Sequence, residues 1–300
     1  MPQTEGLARL PTALLFAVPV LIWASTWHVI LYQIGSPVPA LASLAWRFAL
    51  AAALLAVLAW RAGQSLRAPP AAHAWLLVTG LVHYAGDYWS IYEAERYIPT
   101  GLVAVLFCLA VFLNALGVWL LKGQRPTRRF LLASSGAVLG VALVFWPEIA
   151  TTGARTHAAL GLGLGLTGVI TSTIGSFFTL HLMAQGLPLL SVLAWSMGYG
   201  ALWLLGLALC LHPGAPLLDL RASYLAALAY LSVFGSVVSF AFYFRLAERT
   251  GPAKAALTGV AVPVIALGIS VLLEGWQATP LALLGIGLAL VSLFVATRPA

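Results

Sequence analysis

Ala94-Glu95-Arg96-Tyr97-Ile98-Pro99 and Ala247-Glu248-Arg249-Thr250-Gly251-Pro252 carry the same Ala-Glu-Arg-x-x-Pro phrase about 153 residues apart, and that repetition decides the fold. Outward from it, further pairs recur at offsets of 149 to 153 residues. Pro39 with Leu44-Ala45-Trp46 matches Pro188 with Leu193-Ala194-Trp195; Thr26-x-His28 matches Thr179-x-His181; Lys122-Gly123-Gln124 resembles Glu274-Gly275-Trp276-Gln277. Around these markers lie ten apolar windows, at 11–33, 39–60, 73–94, 99–121, 129–147, 159–183, 188–211, 223–246, 253–273 and 279–297, each near the roughly 20 residues that a membrane-spanning helix needs. The expectation is an all-α polytopic membrane protein of ten transmembrane helices, built as two five-helix repeats, 11–147 and 159–297. An odd number of crossings per repeat sets the second copy upside down. Inverted repeats of this kind build secondary transporters, whose substrate site lies near mid-membrane between the halves.

Composition agrees. Hydrophobic residues make up 62% of the chain and charged residues 8%, with a mean hydropathy of +0.99, whereas soluble domains carry about 25% charged residues. The loops are short, so no large catalytic or nucleotide-binding module fits beside the helices. The net charge of +7 is spread over loops and not gathered into an aromatic-lined patch, which argues against a nucleic-acid partner and for the positive-inside rule. With a cytoplasmic N-terminus, inner loops carry Arg9, Arg61, Arg67, Lys122, Arg125, Arg128, Arg129, Arg245, Arg249, Lys254 and Arg298; outer loops carry Arg96, Arg155 and Arg221. Both termini are therefore expected inside. The first window follows a short Arg-containing head but is long for a cleaved signal and lacks a clear small-x-small cleavage site, so it reads as the first span. Cys108 and Cys210 sit inside windows as small apolar residues, not as a disulfide or metal pair.

Two local motifs mislead. Gly163-x-Gly165-x-x-Gly168 matches a dinucleotide fingerprint, which requires a strand before it and a helix starting at it; here it lies within an apolar window. Close helix contact through Gly161, Gly165 and Gly168, and likewise through Gly136 and Gly140, is the better reading. No phosphate-binding Gly-x-x-x-x-Gly-Lys-Ser/Thr loop occurs, so the energy for any transport comes from a gradient. No cofactor is expected.

Polar residues inside the windows are the candidate site. Arg47 and Asp87 are the charges deep within spans, where a charge is costly and functional by default. Arg47 reads either as a clasp to a neighbouring helix or as a ligand contact; Asp87 as a partner for Arg47, a seat for a substrate ammonium, or a proton carrier. His83 and Asp87 stand four apart, on one face of an α-helix with Tyr84 and Tyr88 beside them. Two ligands fall short of the three or four of a zinc site, so no metal is expected. An aromatic cavity wall with polar tips suits an amphipathic small molecule better. Trp23 and Trp27 in the first window join that wall, with Asn114 in the fourth. Thr171-Ser172-Thr173 and Ser176 in the sixth suggest a helix that loosens beside a wet cavity. Trp195 in the seventh window mirrors Trp46, as a gate or as packing. Ser236, Ser239 and Tyr243 in the eighth complete the set. His28 and His181 lie near span ends and read as interface hydrogen-bonding groups.

The run Arg47-Phe48-Ala49-Leu50-Ala51-Ala52 and the turn Ala94-Glu95-Arg96-Tyr97-Ile98-Pro99-Thr100-Gly101 resemble the drug/metabolite transporter superfamily, and within it the EamA-type members with two five-helix repeats. Glu274-Gly275 matches the acidic residue this family places at the end of the ninth helix, whereas the first repeat carries Lys122-Gly123 there. The run from His83 to Tyr92 is similar to that of the bacterial aromatic amino-acid exporters of the YddG type. The resemblance implies a multi-pass protein of the cell inner membrane that exports aromatic and other apolar amino acids, or similar small metabolites or organic cations. It also implies a central cavity bounded by helices one to four and six to nine. Rival readings are an intramembrane enzyme using His83 and Asp87 as acid and base, which lacks a third, orienting group, and a scaffold or receptor, whose loops are too short to present a partner domain.

Overall fold

A computed structural model of the chain describes residues 10–123, 125, 127–150, 155–251, 255 and 258–297. Arg9, Gln124, Pro252, Lys254 and Arg298, which entered the repeat and charge arguments, lie outside the described residues. Every described regular element is helical. In order these are α1 (Thr12–Ile34), α2 (Ala40–Arg61), α3 (Pro70–Thr79) continued through a π-helical segment (Gly80–Gly86) into α4 (Asp87–Ala94), then α5 (Thr100–Leu106), a 3₁₀ turn (Phe107–Leu109) and α6 (Ala110–Lys122). There follow α7 (Arg128–Ala150), α8 (Arg155–Ala184), α9 (Leu189–Leu211), α10 (Ala222–Tyr230) continued through a second π-helical segment (Leu231–Val238) into α11 (Ser239–Thr250), α12 (Thr258–Leu273) and α13 (Pro280–Thr297). Helix thus occupies each of the ten windows. Six stretches are by themselves long and apolar enough to cross a membrane: 12–34, 40–61, 100–120, 157–184, 189–211 and 222–250; 261–273 and 280–292 are shorter apolar helices.

The two repeats use the same punctuation. Pro39 and Pro188 precede the first residues of α2 and α9, where a fixed φ and a missing N–H cost nothing. Gly63 and Gly214 follow those helices at φ 67° and 79°, and Gly123 and Gly275 close α6 and α12 at φ 68° each, the left-handed region that an L side chain strains to adopt. The two π segments also fall at equivalent places.

The relation between the repeats is visible in two hydrogen bonds. Trp46 Nε1 donates to the Leu217 carbonyl at 2.9 Å, and Trp195 Nε1 donates to the Leu66 carbonyl at 2.7 Å. Each tryptophan, near the start of its repeat's second long helix, ties itself to the loop after the matching helix of the other repeat. That reciprocity is the mark of a pseudo-twofold axis between α2 and α9, which pack against each other along their length. Arg221 Nη2 reaches the Gly35 carbonyl at 3.5 Å and His28 reaches Glu274 at 3.1 Å, so loops 35–39, 95–99, 212–221 and 274–279 share one end, here called upper. Arg249 Nη1 reaches the Leu10 carbonyl at 2.7 Å at the opposite, lower end, where Arg61, Arg67, Arg125, Arg128, Arg129 and Arg245 also lie.

Glycines set the closest contacts, as the small-residue pattern predicts. A Cβ on Gly140 of α7 would sit 2.6 Å from the Gly285 carbonyl of α13, and the same atom on Gly80 would sit 2.7 Å from the Gly200 nitrogen of α9. Gly161 and Gly165 let α8 close onto Ile98 and Leu106. Outside, Leu120, Leu132, Leu202, Leu209, Leu272 and Leu284 are more than half exposed, an apolar surface suited to lipid tails. With Cys210, itself exposed, replaced by Ser, the variants Arg125→Cys and Leu220→Cys are expected to react with an impermeant thiol reagent from opposite sides of a sealed vesicle. Labelling from one side would remove the inverted arrangement.

Candidate functional site

Between the repeats lies a cavity of about 140 Å³ lined by side chains from both. α1 contributes Trp23, Thr26, Trp27 and Ile30; α2 contributes Arg47; the first π segment and α4 contribute His83, Asp87, Tyr88 and Ile91. Phe107 enters from the 3₁₀ turn, Ala110 and Asn114 from α6, Ser172, Thr173 and Ser176 from α8, Phe240 and Tyr243 from α11, and Thr258, Gly259 and Val262 from α12.

The π segments explain which side chains arrive there. A wide turn shifts the register of the helix that follows, so Asp87 and Tyr88 face the cavity with His83, while Tyr84 turns away. Tyr84 is fully buried between Phe48 and Phe240, 5.2 and 5.7 Å from their ring centroids, and stacks on His83 at 4.7 Å. Ser236 in the second π segment and Ser239 at the start of α11 donate to the carbonyls five residues back, Leu231 at 3.0 Å and Phe234 at 2.9 Å, and neither lines the cavity. Ser236 supports the site indirectly, because its hydroxyl also accepts from Arg47 Nε at 3.1 Å.

Trp195 is likewise absent from the cavity. Its bond to Leu66 holds it at the lower end, 4.8 Å from the ring of His73, in a separate cleft with Trp60, Gln64 and Arg67. α9 supplies no lining residue to the cavity. The expected loosening of the sixth span is also absent: α8 runs as one α-helix of 30 residues. Thr171 and Thr173 return their hydroxyls to the carbonyls four residues back at 2.8 Å each, which satisfies them without unwinding the helix. The irregular backbone lies in the third and eighth spans instead.

The charges are deep and face one space. Arg47 is 1% exposed and Asp87 is 2% exposed. Arg47 Nη1 donates to the Tyr92 hydroxyl at 3.3 Å, which in turn donates to Gln33 Oε1 at 2.6 Å. The guanidinium carbon stands 4.6 Å from the Tyr88 ring centroid, a cation–π contact. Arg47 therefore clasps α4 and the second π segment and also borders the cavity. Among the described residues no carboxylate lies within ion-pair distance of it. Asp87 stands beside the Ser172 hydroxyl, with Oδ1 lacking a hydrogen-bond partner; Trp27 Nε1 and His83 Nδ1 lack one as well. A buried polar atom without a partner costs about 1–3 kcal/mol, so the cavity holds a cation, a carboxylate and donors set for something else to satisfy. No group of three metal-ligating side chains occurs among the described residues.

Above Ile30, Arg47 and Ile91 the upper end is closed by polar contacts. Ser43 and Tyr224 hydroxyls meet at 2.8 Å, and Glu274 accepts from Thr100 at 2.6 Å and Ser270 at 2.5 Å while touching His28 Nδ1. Burial pushes the Glu274 carboxyl up, but those hydrogen bonds outweigh it and hold it below the usual range. The cavity extends the other way, toward Asn114, Ser176, Tyr243 and Thr258. Sequence reasoning missed Phe107, Phe240 and Thr258, apolar or hydroxyl residues like many others in their windows. Thr26 stood as a repeat marker and among the polar residues of the first window, without a place in the site.

The EamA-like transporter family matches residues 10–146 and 159–298, nearly the whole chain in two copies. Protein PecM of Dickeya dadantii (strain 3937) is 25% identical over 250 residues, 82% of this chain and 78% of PecM. A protein of known crystal structure superposes with a TM-score of 0.68 at 20% identity, over 95% of this chain and 96% of that one, which speaks for the fold alone. Two family copies, an all-helical fold and an apolar exterior together make this a multi-pass membrane protein, and the chain belongs to the EamA-like transporter family.

Proposed function

We propose that the protein exports amino acids, aromatic and other apolar ones, across the cell inner membrane by alternating access of ten spans, with both termini cytoplasmic. The observation that carries this reading is the pairing of Arg47 and Asp87 across one aromatic cavity without an ion pair between them. An α-amino acid is the small molecule with a carboxylate for the first and an ammonium for the second. Trp23, Trp27, Tyr88, Phe107 and Phe240 offer ring faces to its side chain. The basic lower end favours a cytoplasmic face there, which directs the cavity to the cytoplasm, as the loading state of an exporter requires. The likeness of the His83–Tyr92 run to aromatic amino-acid exporters of the YddG type supports the same substrate class.

The test is counterflow of labelled phenylalanine in liposomes holding the purified protein, with unlabelled amino acids as competitors. Tyr88→Ala is expected to weaken phenylalanine and tryptophan transport roughly two- to tenfold more than threonine transport, because a lost aromatic contact of about 0.5–1.5 kcal/mol touches only ring-bearing ligands. An equal loss for every amino acid would make Tyr88 structural. If no amino acid competes, the substrate lies in another class, such as organic cations.

A further inference from the structure

Glu95 is a buried acid that the cavity does not use. It follows α4 at the upper end, is 7% exposed, and neither carboxylate oxygen has a hydrogen-bond partner. Its neighbour Glu274 behaves in the opposite way: both of its oxygens are taken, by Thr100 and His28 on one side and Ser270 on the other. An ionised carboxylate buried without partners is far too costly to persist. Of two neighbouring acids sharing one site, the better-bonded one keeps the charge and the other takes the proton.

We propose that Glu95 is a proton-binding site that locks the upper end of the cavity. The proton sits on the Glu95 carboxyl while the helix ends are closed over it. When they part, water reaches the group, the O–H bond breaks, the proton leaves to solvent on the upper side, and the carboxylate is left hydrated.

The surroundings fit an acid switch. Glu274 faces Glu95 from the end of α12, with His28 of α1 behind it; Arg47 of α2 and Tyr92 of α4 lie on the cavity side, and Tyr224 of α10 lies beside Tyr92. α8 presents His157, stacked on Tyr97 at 5.8 Å, and the Glu93–Arg96 pair points outward at 3.3 Å. Burial and then the Glu274 charge push Glu95 well above the ordinary carboxylate value, while Arg47 pulls less strongly the other way. The direction of the effect follows. Below the ordinary value of 4.5 the group is protonated in both states and pH has no leverage. Above it, the closed state keeps the proton and the open state loses it, so the open-to-closed ratio rises about tenfold per pH unit until the raised value is reached. Alkaline pH on the upper side unlocks; acid locks.

This inference rests on the alternating-access part of the proposed function, but its test needs no substrate. Ile30, 3% exposed, lies beneath the closed end. In a Cys210→Ser background, Ile30→Cys is to be labelled in sealed vesicles by an impermeant thiol reagent added on the upper side across a pH series. Divided at each pH by the rate of the exposed upper-side Leu220→Cys, which removes the pH dependence of the thiol's own ionisation, the rate is expected to climb with pH by up to tenfold per unit, to be low and flat with pH in Glu95→Gln, which imitates the protonated carboxyl, and to keep its slope in Glu95→Asp. The unchanged slope in Glu95→Gln would overturn the proposal. Infrared spectroscopy gives an independent reading: a protonated-carboxyl stretch at neutral pH, present in the unmodified protein and shifted in Glu95→Asp, is expected. Its absence would overturn the proton site whatever the labelling shows. If the stretch is present and Ile30→Cys never reacts from the upper side, the proton site stands and its gating role is refuted, while the proposed function is decided separately by counterflow.

Discussion

Replacing Arg47 with Leu is expected to abolish phenylalanine counterflow, a fall of roughly a hundredfold or more, while the purified yield falls much less. The two effects separate because they draw on different partners. For folding, the variant loses the bonds to Ser236 and Tyr92, about 1.5–3 kcal/mol each for hydrogen bonds to a charged group, but those hydroxyls keep their bonds to Leu231 and Gln33, and the variant also removes a buried charge whose desolvation was costly. For transport, the loss under the proposed function is the cation that would meet the substrate carboxylate, and charged hydrogen bonds are worth about 1.5–3 kcal/mol apiece, two of them from one guanidinium fork. Arg47→Lys keeps the charge without the fork and is expected to recover transport only in part. Flux and yield measured side by side decide this. Normal flux with normal yield in Arg47→Leu would mean that the side chain has no interior role.

Arg47 also marks where the repeats stop being equivalent. The tryptophans just before the paired positions, Trp46 and Trp195, brace the two halves alike, but the residue after Trp195 is Ser196, fully buried and with an unpartnered hydroxyl. One repeat thus offers a long cation that ties α2 to the opposite π segment and to Tyr92, and the other offers only a short hydroxyl, on a residue whose backbone carbonyl lies against Gly80 of the first π segment. A perfectly symmetric chain would close its two ends equally well. Here the upper end has the cation, the tyrosine–glutamine chain and the Glu274 cluster, so it is the end that closes in this structure.

The architecture was legible because it rests on long-range repetition and on length: Ala94-Glu95-Arg96 against Ala247-Glu248-Arg249, proline before the paired helices, glycine after them. Arg47 and Asp87 were legible because a charge inside an apolar window has few structural uses. The misplacements trace to backbone detail. Tyr84, Ser236 and Ser239 were placed on cavity faces by α-helical spacing, and a π turn shifts that spacing without a distinctive residue to announce it. The hydroxyl run at Thr171–Thr173 suggested loosening, yet bonds to the preceding turn absorb it. Glu95 was read as part of a repeat and family marker and as an outer-side acid, not as a site, since nothing in a turn's sequence tells whether its acid meets water or a protein interior.

Asp87→Asn is expected to lower kcat/KM for phenylalanine by roughly 10- to 150-fold, the span of about 1.5–3 kcal/mol for a hydrogen bond to a charged group. Asn keeps the shape and an oxygen toward Ser172, so folding is expected to change little. What disappears is the negative charge. Ligand analogues sharpen the test, because the two buried charges answer to different ends of the substrate. Phenethylamine, which has the ammonium and no carboxylate, is expected to lose competition in Asp87→Asn and to be less affected by Arg47→Lys. 3-Phenylpropionate, which has the carboxylate alone, is expected to show the reverse, and its competition should improve in Asp87→Asn once the repelling carboxylate is gone. Equal losses for both analogues in both variants would mean that the charges shape the cavity without reading the zwitterion. The amino-acid assignment would then fall, while membership of the transporter family stands on its own evidence.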